Sequence, residues 1–138
     1  MTPQDLLLAQ QECDQLLKQG LIEPINSQWD CQAFYVGKRT ELLRGKKRLV
    51  IDYQPLNNFL QDHKFPLPNR HTLFVHLKDA RIFTKFDLKS GFWQLGIHPS
   101  ERYKTTFCIP NAHYQWTILP FGLKTAPSIF QKAMTAIF

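Results

Sequence analysis

A chain of 138 residues is long enough for one domain, which would bury roughly 70% of its unfolded surface. Its apolar and charged shares, 43% and 20%, are ordinary for a globular chain, and no apolar run approaches the roughly 20 residues of a membrane span. The net charge of +6 suits an acidic partner, nucleic acid first, while Cys13, Cys31 and Cys108 exclude a disulfide framework and fit a reduced intracellular, cytoplasmic setting.

Thr2-Pro3-Gln4-Asp5 predicts a helix start: Thr2 as N-cap, Pro3 in the first turn, Asp5 at the positive end of the dipole. Leu6, Ala9, Cys13 and Leu16-Leu17 recur at helical spacing, and Gly20 supplies the stop. Ala33-Phe34-Tyr35-Val36 and Arg48-Leu49-Val50-Ile51-Asp52-Tyr53 predict two strands of a hairpin. The loop between them holds Lys38, Arg39, Arg44, Lys46 and Lys47, with Glu41 as its single acid. Such a run reads either as a solvated loop or as a phosphate-facing patch.

Residues 63–69, with Pro66 and Pro68, predict an extended segment. Asn69 caps a short helix to Leu77 with Leu73, Phe74 and Leu77 as its buried side. His71 and His76 lack a third ligand and read as surface or packing residues. A strand over 82–86 ends at Asp87, and one helical turn follows over 99–102. Residues 103–109 and 114–119 predict a second hairpin across Pro110-Asn111-Ala112. Ala126, Ile129, Phe130, Ala133 and Ile137 line one face of a closing helix that has no cap or glycine stop, a pattern expected of a truncated unit. The class expected is α+β, in one unit over 1–138.

The residue with the strongest chemical promise is Asp87, in Lys85-Phe86-Asp87-Leu88-Lys89-Ser90-Gly91-Phe92-Trp93-Gln94. A carboxylate where an apolar run gives way to a Gly-bearing turn is well placed to bind a metal. Taken alone, an aspartate there reads more often as a turn cap. Its neighbours decide otherwise.

Four ordered segments resemble reverse transcriptases of the long-terminal-repeat retroelement class, nearest to the plant pararetroviruses (the caulimovirus-like group) and their endogenous copies. Gly20-Leu21-Ile22-Glu23-Pro24 with residues 27–36 resembles the start of the fingers in that group. Arg44-Gly45-Lys46-Lys47-Arg48-Leu49-Val50-Ile51-Asp52-Tyr53-Gln54-Pro55-Leu56-Asn57 resembles its fingers strand. Phe86-Asp87-Leu88-Lys89-Ser90-Gly91-Phe92-Trp93-Gln94 resembles the first palm motif, and residues 119–131, with Leu119-Pro120-Phe121-Gly122-Leu123-Lys124, the second.

The resemblance implies an RNA-directed DNA polymerase, a nucleotidyltransferase that copies RNA or DNA templates by two-metal attack on a deoxynucleoside triphosphate. It implies a partial fingers and palm, with an antiparallel sheet and packed helices. Fingers would occupy mainly 1–80, and the palm would begin over 81–138. By that likeness Asp87 and the Leu88 carbonyl hold Mg²⁺, and Arg48 with Lys46 or Lys47 lies over the triphosphate. The backbone of Ser90 and Gly91 meets the phosphates, and Phe92 excludes a ribose 2′-hydroxyl. Phe121 and Gly122 line the sugar and template side, with Lys124 behind. Lys38, Arg39 and Arg44 would contact primer–template.

The stretch 109–116 departs from the family, which usually carries a glycine in that turn and an acid before the Trp. The Tyr-x-Asp-Asp hairpin does not occur in this sequence, so Asp87 is the only one of the three expected metal-binding carboxylates. The missing palm, thumb and ribonuclease H are expected in a full-length polyprotein, virion-associated if the element is active, with no membrane partner. This chain alone is expected to be inactive, because one acid cannot hold two ions about 3.5–4 Å apart. Two alternatives stand beside the enzyme: a basic nucleic-acid-binding module, and the remnant of a decayed integrated pararetrovirus.

Overall fold

The computed structural model describes residues 1–37, 45, 47–61, 67 and 69–138. Helix α1 spans Pro3–Lys18, and the Thr2 hydroxyl accepts a hydrogen bond from the Asp5 N–H at 3.1 Å. It ends in a Schellman closure at Gly20 (φ 74): Leu21 N–H donates to the Leu16 carbonyl and Gly20 N–H to that of Leu17. Ala9 and Cys13, one turn apart, are its buried residues.

The strands are β1 (Ile22–Pro24), β2 (Cys31–Val36), β3 (Arg48–Ile51), β4 (Phe107–Ile109) and β5 (Ala112–Trp116). They form one sheet in the order β1-β5-β4-β2-β3. Three of the pairings are antiparallel, but β2 and β4 run parallel, with Cys31 opposite Phe107. The sheet is therefore mixed rather than purely antiparallel. A parallel pair needs a long crossover, and the chain between β2 and β4 supplies one.

The predicted β2–β3 hairpin is present, with Phe34 opposite Val50. Of its basic loop, Lys38, Arg39, Arg44 and Lys46 lie outside the described residues. The β4–β5 hairpin turns at Pro110-Asn111, where Asn111 takes φ 68. Proline followed by a residue with positive φ suits a type II turn, and Asn tolerates that conformation almost as Gly does. The departure from the family's glycine is thus accommodated locally.

Other expectations are corrected. Residues 82–86 form no strand and are exposed. A strand exists only when its backbone groups find a ladder partner, and no described strand pairs with this segment. Residues 103–105 belong to a 3₁₀ helix, Pro99–Thr105, so the second hairpin begins only at Phe107. Its return strand stops at Trp116; Ile118 makes an isolated bridge to Gly96. Helix α3 (Arg70–Leu77) follows a short α2 (Gln54–Asn57), and Asn69 caps it as expected, its Oδ1 accepting from Thr72 N–H at 2.7 Å. Yet Leu73, Phe74 and Leu77 are exposed, because nothing described packs over them.

The core lies where α1 and the sheet meet the aromatic chain of the second half. Phe107, Trp116, Ile109, Leu119 and Tyr53 are buried. The Tyr53 hydroxyl donates to the Thr105 carbonyl at 2.7 Å, and Trp116 N–H donates to the Thr105 hydroxyl at 2.9 Å. Burial pushes the Tyr53 phenol well up, so it stays a neutral donor. Helix α4 (Ala126–Ile137) closes the described structure with Ala126 inward; Ile137, expected on the same face, is exposed.

Candidate nucleotide-binding site

Asp87 sits in an irregular, exposed segment rather than at a strand end. The turn after it is tight. Ser90 adopts left-handed geometry (φ 50, ψ 49), and a single 3₁₀ helix follows over Gly91–Gln94. The Gln94 side chain donates to the Lys89 carbonyl at 2.9 Å, and Trp93 N–H donates to that of Ser90 at 2.9 Å. A serine in that conformation costs about 1–2 kcal/mol, which these turn bonds offset.

Gly91 has a steric reason. A Cβ added there would come within 2.9 Å of the Phe130 ring, on α4. The first palm-like motif and the second therefore meet at a point where a side chain at position 91 would displace the Phe130 ring. Beyond Gly91, the Phe92 ring lies 5.3 Å from Phe130 and 5.2 Å from Phe121. Trp93 continues the contact to Trp116 at 5.9 Å, and Trp116 to Phe107 at 5.6 Å. Aromatic pairs at these separations add about 0.5–1.5 kcal/mol each beyond burial. One aromatic chain thus anchors the Asp87 turn to the centre of the sheet.

Two cavities flank Phe121. One, about 470 Å³, is lined by Asp87, Leu88, Gly91, Phe92 and Phe130. The other, about 520 Å³, is lined by Lys47, Arg48, Trp93, Trp116 and Gly122 together with α1. Phe121 lines both. Among the residues singled out from the sequence, Asp87, Leu88, Gly91 and Phe92 thus share one cleft, and Lys47, Arg48 and Gly122 the other. Ser90 and Lys124 line neither. Lys47 is held by an ion pair to Asp5 at 2.8 Å, which keeps the Asp5 carboxyl below its usual range.

Sequence reasoning missed the residue that fixes the second motif. The Asn57 Nδ2 donates to the Gly122 carbonyl at 3.0 Å, and its Oδ1 accepts from the Lys124 N–H at 3.0 Å. A side-chain amide that bridges both ends of a turn pins it at donor and acceptor together. Gly122 takes φ 98 there, with Tyr53 and the Ile51 carbonyl close by. The available signal was Asn57 itself, at the close of a motif otherwise read for its cations.

Asp87 and Leu88 both line that cleft, and the ligands expected of them are a carboxylate and a backbone carbonyl. Hard oxygen ligands suit Mg²⁺ and not soft metals. Among the described residues no second acid lines that cleft, so the set fits part of one ion's shell rather than a pair of ions.

A polymerase hand, with its first palm motif packed on its second, is the class these features define. The family described as "Reverse transcriptase (RNA-dependent DNA polymerase)" matches residues 36–138, and the chain belongs to it. Members of that family normally use a divalent metal ion, and the family implies nucleic acid substrates. The chain is 68% identical over its whole length to part of the genome polyprotein of Petunia vein clearing virus (isolate Hohn), of which it spans 6%. It is 39% identical over 99% of its length to the enzymatic polyprotein of Cauliflower mosaic virus (strain Strasbourg), spanning 20% of it. The fold resembles the fingers and palm of the Prototype Foamy Virus protease-reverse transcriptase. One such structure gives a TM-score of 0.76 at 28% identity, over 99% of this chain and 18% of that one. These likenesses support a reverse transcriptase segment of a pararetroviral polyprotein and lend nothing to a decayed remnant.

Proposed function

We propose that this chain supplies the fingers, mainly over 1–80, and the first part of the palm, over 81–138, of a polymerase that copies RNA or DNA templates into DNA. The observation that carries this reading is the shared cleft of Asp87, Leu88, Gly91 and Phe92, walled by Phe121 and Phe130 from the second motif. The Asp87 carboxylate and the Leu88 carbonyl would hold Mg²⁺. When bound, the ion neutralises charge on the transferring phosphoryl group and lowers the pKa of the attacking hydroxyl.

The residues of the chain do the positioning. Arg48 offers a planar fork suited to the triphosphate oxygens, with Lys46 or Lys47 adding charge. Backbone N–H groups of Ser90 and Gly91 would meet the phosphates in the turn. The Phe92 ring, braced by Phe121 and Phe130, would occupy the space a ribose 2′-hydroxyl needs. Phe121 and Gly122 would line the sugar and template side, with Lys124 behind them. Lys38, Arg39 and Arg44 would take phosphates of the primer–template. A reduced cytoplasmic setting suits three free cysteines, and the rest of the palm, a thumb and a ribonuclease H are the expected companions in the polyprotein.

Primer extension by a chain carried on through its Tyr-x-Asp-Asp residues tests the reading. Magnesium-dependent DNA synthesis on both RNA and DNA templates is expected. Tight primer–template binding without synthesis would instead favour a non-catalytic binding module.

A further inference from the structure

The sheet carries a second set of metal-competent side chains, none of which lines either cavity beside Phe121. We propose that Asp30, Cys108 and His113 form a binding site for a zinc-like divalent transition metal ion. One ligand atom from each lies within 4.8 Å of the others. Tetrahedral zinc with its usual bond lengths places such atoms roughly 3.3–3.6 Å apart, so small side-chain rotations close the set.

The backbone explains why these residues converge. Cys108 on β4 and His113 on β5 are direct partners across an antiparallel ladder. Such partners have Cβ atoms about 4.5–5.5 Å apart on the same face. That face is the outer one: Phe107 and Ile109 point into the core, while His113 is exposed. Asp30 directly precedes β2, whose Cys31 N–H donates to the Thr106 carbonyl at 3.0 Å. This parallel pairing brings the Asp30 Oδ2 within 3.0 Å of the His113 Nε2. The His113 backbone is fixed in turn, because its carbonyl accepts from Ile25 N–H at 3.2 Å.

Donor chemistry selects the ion. Imidazole and thiolate prefer zinc and its transition-metal neighbours, whereas magnesium and calcium take oxygen. A bound zinc ion deprotonates a coordinating thiol outright. Carboxylate and thiolate would then balance the dication, and a neutral imidazole completes three protein ligands. The fourth position would be open to water or another donor. The ion would clip β2, β4 and β5 together. Without an ion, Asp30 engages His113 through its Oδ2 and also accepts a hydrogen bond from the Cys108 thiol, so a thiolate at Cys108 would mark the metal-bound form.

Cobalt and zinc titrations of the full chain decide the matter. The expected result is one cobalt per chain with a thiolate-to-cobalt charge-transfer band, displaced by zinc. A rise in melting temperature with zinc but not with equal magnesium should accompany it. Cys108→Ser abolishes the band. His113→Gln, at an exposed position and so expected to fold, weakens binding by more than about tenfold. No band in folded protein, a band that persists in Cys108→Ser, or undiminished affinity in His113→Gln would each overturn the proposal.

Discussion

The Phe92 and Phe121 rings lie 5.2 Å apart at an interplanar angle of 41°, joining the turn after Asp87 to the loop of the second motif. Neither ring is in the buried core, and Phe121 is 60% exposed. The contact therefore organises a cleft rather than filling an interior. Replacing Phe92 by Val removes its ring contacts with Phe121 and Phe130. A stability loss of about 1–2 kcal/mol is expected in urea melts, less than for a fully buried Phe. In an extended polymerase the same change should raise ribonucleotide incorporation at least about tenfold, whereas Phe92→Tyr should leave discrimination intact. Equal discrimination in all three proteins would reduce Phe92 to a packing residue.

Gly91→Ala should force the Phe130 ring to move, because the new methyl would sit 2.9 Å from it. A cost of about 1–3 kcal/mol is expected. Phe130→Leu makes room, so the double variant should be less destabilised than the sum of the two single changes. Strict additivity in a double-mutant cycle would show that the two motifs do not press on one another here.

Asn57→Ala removes both bonds to the 122–124 backbone, at Gly122 and Lys124. Destabilisation of about 1–3 kcal/mol is expected, with faster amide exchange at Lys124. Unchanged exchange at Lys124 would mean that the loop holds itself.

The Asp5–Lys47 pair gives a pH signature. The folded carboxyl lies below its unfolded value, through the hydrogen bond from Lys47. Its contribution is present above the ordinary carboxylate pKa and is lost as pH falls through the lowered folded value. Asp5→Asn should therefore be less stable than the parent at pH 7, and the gap should close in acid. A gap independent of pH would point instead to altered helix capping.

Much of this was legible from short-range chemistry. Thr2, Gly20 and Asn69 act on neighbours within a turn or two, and each does what its residue type predicts. The Asp87–Phe92 turn was legible for the same reason, since its parts are adjacent. Non-local features were not. The strand expected over 82–86 depends on a partner, and the buried side expected of α3 depends on a covering element. The parallel β2–β4 pairing joins distant segments. The Asn57 amide reaches 65 residues to Gly122, and Asp30 reaches 83 to His113. No local pattern encodes such contacts.

The central claim, that Asp87 holds the catalytic metal, is tested most directly by single-nucleotide incorporation with Asp87→Asn in a chain that includes the Tyr-x-Asp-Asp carboxylates. With primer–template saturating and its affinity measured in parallel, the incorporation rate should fall at least about 100-fold while affinity stays within about threefold. A rate that survives the substitution, or one that falls only as far as binding does, would contradict the account.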